Sequence, residues 1–271
     1  MKINKMNKIN EEVRAAWEEN ANYWDEYMGE GNHFVEVLCW PAIQRLLEAK
    51  PETRILDIAC GNGLTSRRLA DLGCEVTAFD FSKNMIENAI KRSEDYEDRI
   101  QYHVLDATDE KALLGLGERG YEAAISNMAL FDIAQIEPLF NALSKLLKPG
   151  SCFVYSVMHP CFNNPYVKLT AEMDDRSGKV VTEYSVRVSK YLTQNIEYGV
   201  ALREQPKAQL VFHRPLQALF EAGFKTGFVI DGLEERAFPA DQPVGSSLLT
   251  WGPNFSDIPP VMVIRMRLSP E

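Results

Sequence analysis

What this sequence lacks narrows its reading first. No run approaches the roughly 18 consecutive apolar residues of a membrane-spanning helix. Met1 to Asn10 carries three lysines with no apolar segment behind them, so neither a secretory leader nor a membrane partner is expected. The five cysteines (Cys39, Cys60, Cys74, Cys152 and Cys161) are odd in number, widely spaced and contain no Cys-x-x-Cys pair. A disulfide framework is therefore not expected; reduced thiols, a cytoplasmic location and no metal are. Basic charge is in short supply, with 29 Lys and Arg against 39 Asp and Glu and a formal net charge of −10. Phosphate-backbone binding is disfavoured, because the basic stretches are as short as Lys91-Arg92. Internal repeats and low-complexity tracts are also missing, which argues against a solenoid.

With 271 residues, 45% of them apolar and 25% charged, the chain can bury a sizeable core, and disorder is excluded as its general state. Residues 1–49 read as a helical cap, with Val13, Trp17 and Ala21 on one face, then Phe34, Val35, Leu38, Ile43, Leu46 and Leu47. From residue 54 the period alternates. Strands are predicted over 54–59, 75–80, 100–106, 121–127 and 152–158, separated by helices, then over 225–230 and 261–268 after a helix at 215–222. Near-continuous apolar strands joined by helices predict a doubly wound, mostly parallel seven-stranded α/β sheet. Residues 50–159 form its core and 211–271 complete it. The polar segment 160–210, rich in Pro and Tyr, is too long for a passive connection and reads as a substrate-facing insertion or lid.

In such sheets ligands sit beyond the carboxyl ends of the strands at the switch point. Asp57, Asp80 and Asp106 lie near the ends of the first three strands, and Gly61 and Gly63 occupy the first turn. Glycines there let the backbone turn sharply and approach a ligand. A dinucleotide would call for a glycine where Ser66 stands, and its pyrophosphate would meet Asp57, so that ligand is disfavoured. A carboxylate ending the second strand can instead accept hydrogen bonds from vicinal ribose hydroxyls.

Ile55-Leu56-Asp57-Ile58-Ala59-Cys60-Gly61-Asn62-Gly63, Asp80, Asp106-Ala107, Ser126-Asn127 and Leu146-Leu147-Lys148-Pro149-Gly150 together resemble the class I S-adenosylmethionine-dependent methyltransferases over residues 54–158, although Ala59 replaces one usual glycine. The resemblance implies a Rossmann-like methyltransferase fold with S-adenosylmethionine as cofactor and S-adenosylhomocysteine as product. It also implies cofactor contacts from Asp57, Ala59, Cys60, Gly61, Asn62, Gly63, Asp80, Phe81, Met85, Asp106, Ala107 and Asn127, with Asp80 on ribose and Asp106 and Ala107 at adenine. Trp17, Asn20, Tyr23 and Trp24 look like that family's cap helix, with Tyr23 at the cofactor or, equally, with the tryptophans packed in the core.

Two further motifs point to nucleic-acid enzymes but stand in the wrong place. Asn164-Pro165-Tyr166 looks like part of a base-holding signature that belongs after the fourth strand, and Pro160-Cys161 like a cytosine-attacking pair. The chain is more similar to the small-molecule branch of ubiquinone and menaquinone biosynthesis. A non-catalytic cofactor-binding subunit and an RNA-modifying enzyme stay open as alternatives. Should the acceptor need a base, His159 at the exit of the fifth strand and His213 are the candidates, ahead of His33 and His103. His159 could equally belong to its turn, and His213-Arg214-Pro215 could simply start a helix. Asp132 is read as an N-cap or a substrate contact. Oligomeric state and the methylated atom are not legible.

Overall fold

The computed structural model describes residues 2–175, 178–243 and 247–270. A long helix α1 (Lys2–Met28) leads through a π-helical turn (Val35–Cys39) into α2 (Trp40–Leu47). The alternating core follows as β1 (Arg54–Ile58), α3 (Leu64–Asp71), β2 (Glu75–Asp80), α4 (Lys83–Arg92), β3 (Ile100–Val104), α5 (Glu110–Leu114), β4 (Tyr121–Asn127), α6 (Glu137–Leu146) and β5 (Leu147–Met158). Next come β6 (Lys168–Asp174), β7 (Val181–Arg187), β8 (Ile196–Gly199) and β9 (Gln209–Phe212), then α7 (Leu216–Lys225), β10 (Phe228–Arg236) and β11 (Val261–Leu268).

Seven strands form one sheet in the order β10-β11-β5-β4-β1-β2-β3. The pairs among β1 to β5 are parallel, and β11 runs antiparallel to both β5 and β10. The order reverses between β1 and β4, where Asp57 pairs with Ile125, so a crevice opens beyond the carboxyl ends of these two strands. Both sheet faces are covered, as buried parallel strands require. On one face Leu56, Ile58 and Phe79 meet α6 and α7 around Phe140, whose ring makes edge contacts with Phe153 at 5.6 Å and Phe228 at 5.9 Å. On the other, Ile55, Val76, Ile125 and Val263 pack on Leu38 and Ile43 of the N-terminal helices. Truncating a buried ring such as Phe140 costs about 3–5 kcal/mol.

The bounds of two strands differ from those the sequence predicts. β5 starts at Leu147 rather than 152, because Leu147 already pairs with Tyr121 before the register shifts and Gly150 turns at φ +80°. β10 runs to Arg236, well beyond 230; it ends in the charged run Glu234-Glu235-Arg236 on a partly exposed edge, which masks the strand in the sequence. The 160–210 segment, expected to be a substrate-facing insertion or lid, carries three strands and leads into a fourth, paired as two antiparallel hairpins, β6 with β7 and β8 with β9.

Candidate functional site

A cavity of about 770 Å³ opens at the switch point. It is lined by the ends of β1, β2 and β4, by α1 and the turn after it, and by residues 198–202 of the insertion. Asp57, near the end of β1, is buried and accepts a hydrogen bond from Ser66 Oγ at 2.5 Å. Burial pushes its carboxyl up to about 7 against the pull of that bond, and neighbouring Asp80 adds repulsion. Asp80 is also buried, and its oxygens accept from the amides of Ser82 (2.9 Å) and Gly61 (3.1 Å). Burial raises this acid to about 6, with the two amides opposing. The Cys60 thiol lines the cavity, pushed well up first by burial and then by both aspartates, so it is no thiolate nucleophile.

The first turn divides labour between its glycines. At Gly61 (φ +55°) an added Cβ would meet nothing nearer than Trp24 Nε1 at 3.9 Å, so this face is open to a ligand. Gly63 does not line the cavity. At φ +76° its missing side chain makes room for Tyr102 Oη, which would lie 2.3 Å from a Cβ, and the residue packs α3 against β3. Ala59, in the position of a usual glycine, takes φ +52°, and Met128 just after β4 takes φ +57°. Two non-glycine residues in the left-handed region flank the crevice, a form of local strain found at ligand sites. Asn127 shares a network in which Ser156 Oγ donates to its Oδ1 (2.7 Å) and its Nδ2 donates to Thr65 Oγ1 (3.3 Å).

Helix α1 is fastened along two stripes. Asn10, Arg14, Glu18, Asn22 and Asp25, spaced by three or four residues, share one flank. Asn10 (2.6 Å) and Arg14 (2.7 Å) donate to Asp106 Oδ2; Glu18 receives Ser82 Oγ; Asn22 accepts from Asn88 (3.0 Å) and Asp25 from Asn62 (3.0 Å). Burial alone would raise Asp106, but bonds from Thr108, Arg14 and Asn10 hold it below the usual carboxylate range. On the other flank Asn20 pairs with the backbone of Lys207 in both directions (2.7 and 2.9 Å). Tyr23 donates to the Arg203 carbonyl at 2.6 Å. The helix thus joins core and insertion, and Trp17 and Trp24, in edge-to-face contact at 5.3 Å, look into the cavity.

Of the residues singled out from the sequence, Asp57, Ala59, Cys60, Gly61, Asn62, Asp80, Phe81, Met85, Asp106, Ala107 and Asn127 come together around this space. Gly63, Tyr23, His159 and His213 do not. Tyr23 is turned to the insertion by its bond to Arg203. His159 is buried behind the crevice: Nε2 bonds Glu235 at 2.8 Å and Nδ1 accepts from the Cys161 amide at 3.1 Å, while burial lowers its pKa against the influence of Glu235. With both nitrogens engaged and no cavity contact, it serves its turn rather than a substrate. His213 Nε2 bonds the Tyr191 carbonyl (2.7 Å) just before α7. Asp132 is not an N-cap, since α6 begins five residues later, and it lines the cavity. Asn164 and Pro165 also line it, but the Asn164 amide is held locally by the Pro160 carbonyl (2.7 Å) and the Tyr166 amide (2.9 Å). Sequence reasoning missed Asn10, Arg14 and Glu18, whose regular spacing along α1 was a usable signal, and Trp251, whose distance in sequence left none.

These groups suit S-adenosylmethionine. Asp80 retains lone pairs for ribose hydroxyls, the carboxylates suit a cationic sulfonium and ammonium, Gly61 leaves the space a ligand would take, and Phe81 and Met85 offer apolar walls.

Residues 55–150 match the family model described as a methyltransferase domain. That stretch carries the switch point and the acid-ended strands, so residues 55–150 are a methyltransferase domain similar to the class I S-adenosylmethionine-dependent enzymes. Its curated relatives include a ubiquinone biosynthesis O-methyltransferase of Hydrogenovibrio crunogenus, 28% identical over 51% of this chain and 57% of that protein. A demethylmenaquinone methyltransferase of Clavibacter sepedonicus is 30% identical over 54% and 56%. A hybrid PKS-NRPS synthetase of Penicillium oxalicum is 28% identical over 49% of this chain but 3% of its own length. The chain thus spans a little over half the length of the quinone-pathway relatives and a small part of the synthetase. Among solved structures, an S-adenosylmethionine-dependent methyltransferase from Mesorhizobium loti shares the fold with a TM-score of 0.62 at 23% identity, covering 84% of this chain and 96% of that one.

Proposed function

We propose that this protein transfers a methyl group from S-adenosylmethionine to a small-molecule acceptor enclosed between the core, α1 and the 160–210 insertion. The observation that carries this reading is that one cavity is lined both by the ends of the acid-ended strands and by Trp17, Trp24, Phe34, Tyr198 and Trp251. Its volume lies within the roughly 300–1,000 Å³ of small-molecule sites. A nucleic-acid acceptor fits poorly, because phosphates would face Asp57, Asp80 and a net charge of −10.

The bound cofactor supplies an electrophilic methyl carbon on a sulfonium. Asp80 would hold its ribose, Asp57 with the Gly61–Asn62 backbone its methionine end, and the Ala107 amide with Asp106 its adenine edge. Because Arg14 and Asn10 already satisfy one Asp106 oxygen, α1 is coupled to that end of the site. The protein's contribution to an in-line displacement is alignment of acceptor and methyl and exclusion of water, worth several kcal/mol. The aromatic wall and α1 serve both ends.

Calorimetry should detect S-adenosylhomocysteine binding at micromolar level, lost or strongly weakened in Asp80→Ala. Incubation with deuteromethyl cofactor and a metabolite extract should then yield a new methylated small molecule by mass spectrometry. Label in RNA alone, or binding without transfer to any fraction, would overturn the reading.

A further inference from the structure

Asp132 is the one cavity-lining carboxylate whose chemistry is unaccounted for. Its Oδ1 is fully buried and finds no hydrogen-bond donor among the described residues, an arrangement that costs free energy unless a ligand completes it. The turn that presents it is built with care. Arg214, half-buried, donates Nη1 to the Leu130 carbonyl (2.9 Å) and Nη2 to the carbonyls of Ile133 (2.6 Å) and Ala134 (3.1 Å), so one guanidinium brackets Asp132 on both sides. The amide of Phe212 in β9 adds a bond to the Phe131 carbonyl at 2.7 Å. A guanidinium committed to carbonyls leaves the carboxylate without a counter-charge.

The rest of the lining sets the sign of the missing partner. Asp57, Asp80, Asp106 and Asp132 all border the cavity, whereas no Lys, Arg or His among the described residues does. An oxygen or sulfur acceptor of the phenol or thiol type reacts as an anion, which these carboxylates would repel in a poorly solvated space. An amine reacts as a neutral lone pair and becomes cationic as the new bond forms, which the same carboxylates favour. Trp17 and Trp24 supply π faces suited to such a cation.

We propose that Asp132 holds the N–H of an amine acceptor and that the site methylates nitrogen. This rests on the methyltransferase reading above. The nitrogen lone pair becomes the new N–C bond, the electron pair of the broken C–S bond leaves with sulfur, and the proton of the resulting ammonium passes to the Asp132 carboxylate and then to water. Asp132 is a catalytic residue in this scheme and Arg214 a positioning residue. Burial, followed by repulsion from Asp80, raises the Asp132 carboxyl well above its ordinary range, which makes its carboxylate a stronger base toward the ammonium proton.

The test uses the full chain, deuteromethyl cofactor and a metabolite extract separated on cation- and anion-exchange resins, with S-adenosylhomocysteine calorimetry alongside. The expected result is label on nitrogen in cation-retained compounds. Asp132→Asn should lower that transfer at least tenfold while changing S-adenosylhomocysteine affinity less than threefold, and Asp132→Glu should recover part of it. Label confined to anion-retained or O-methylated products would overturn the proposal while leaving the methyltransferase reading intact. A tenfold loss of S-adenosylhomocysteine affinity in a folded Asp132→Asn protein would overturn it too, because Asp132 would then belong to the cofactor. Absence of transfer to every fraction, with cofactor binding retained, would overturn both.

Discussion

The amide of Gly61 donates to the carboxylate of Asp80 at 3.1 Å, so the first turn and the end of the second strand are one structure. The same carboxylate also accepts at 2.9 Å from the amide of Ser82, the N-cap that opens α4. The carboxylate proposed to bind ribose hydroxyls therefore also fixes the backbone proposed to face the methionine end of the ligand.

Asp80→Asn should consequently hurt twice. One charge-assisted hydrogen bond is worth about 1.5–3 kcal/mol, or roughly ten- to hundredfold in Kd. Calorimetry should show S-adenosylhomocysteine weakened by at least that factor, with a smaller loss of thermal stability from the freed Gly61 amide. Unchanged affinity would remove Asp80 from the cofactor site.

The two glycines should separate stability from binding. Gly63→Ala places a Cβ 2.3 Å from Tyr102 Oη at φ +76°, so it should destabilise by about 2–4 kcal/mol. Gly61→Ala meets open space, so its cost should be limited to about 1 kcal/mol of backbone strain. Its methyl, however, enters the ligand's space, and cofactor affinity should fall more than stability does. Melting curves and calorimetry on both variants decide the matter.

Ala59 offers the reverse case. Its φ of +52° is one that glycine adopts without penalty. Ala59→Gly should therefore raise stability by about 0.5–1 kcal/mol, read as a higher urea midpoint at unchanged m. A lower midpoint would mean that the alanine methyl contributes more through packing than its backbone costs.

The pH dependence follows from acids whose pKa values folding raises. Asp57 moves from 3.8 to about 7 and Asp80 from 3.8 to about 6, both through burial first. Between these limits the folded protein holds protons that the unfolded chain has released, so their contribution to stability is present at low pH and lost as pH rises from about 4 to about 7. For Asp57 alone the loss is on the order of 2–4 kcal/mol. Asp57→Asn should flatten the decline in melting temperature of the ligand-free protein between pH 5 and 8. Cofactor affinity should move oppositely, strengthening as Asp80 ionises near pH 6.

His159→Gln tests a negative expectation. With its nitrogens committed to Glu235 and the Cys161 amide, the imidazole is structural. The variant should lose about 1–2 kcal/mol of stability yet keep the pH profile of methyl transfer. A displaced profile would restore the histidine as a base.

The sequence by itself determined the sheet and the acidic lining of the cavity. Strand periodicity and helix spacing are local properties, and Asp57, Asp80 and Asp106 fall near strand ends wherever those strands form. The glycine turn, Ala107 and Asn127 were legible for the same reason. Only the tertiary structure decided what faces the cavity. Gly63 turned out to serve Tyr102, His159 turned away to Glu235, and Tyr23 bonded the insertion, because each orientation depends on a partner distant along the chain. The strands of the insertion were hidden because their residues alternate with polar ones in small, exposed hairpins. Asp132 shows the difference most sharply: its sequence neighbourhood looks like a helix start, and one of its carboxylate oxygens became buried, with no donor among the described residues, in a turn that Arg214, 82 positions later, holds by the carbonyls around it.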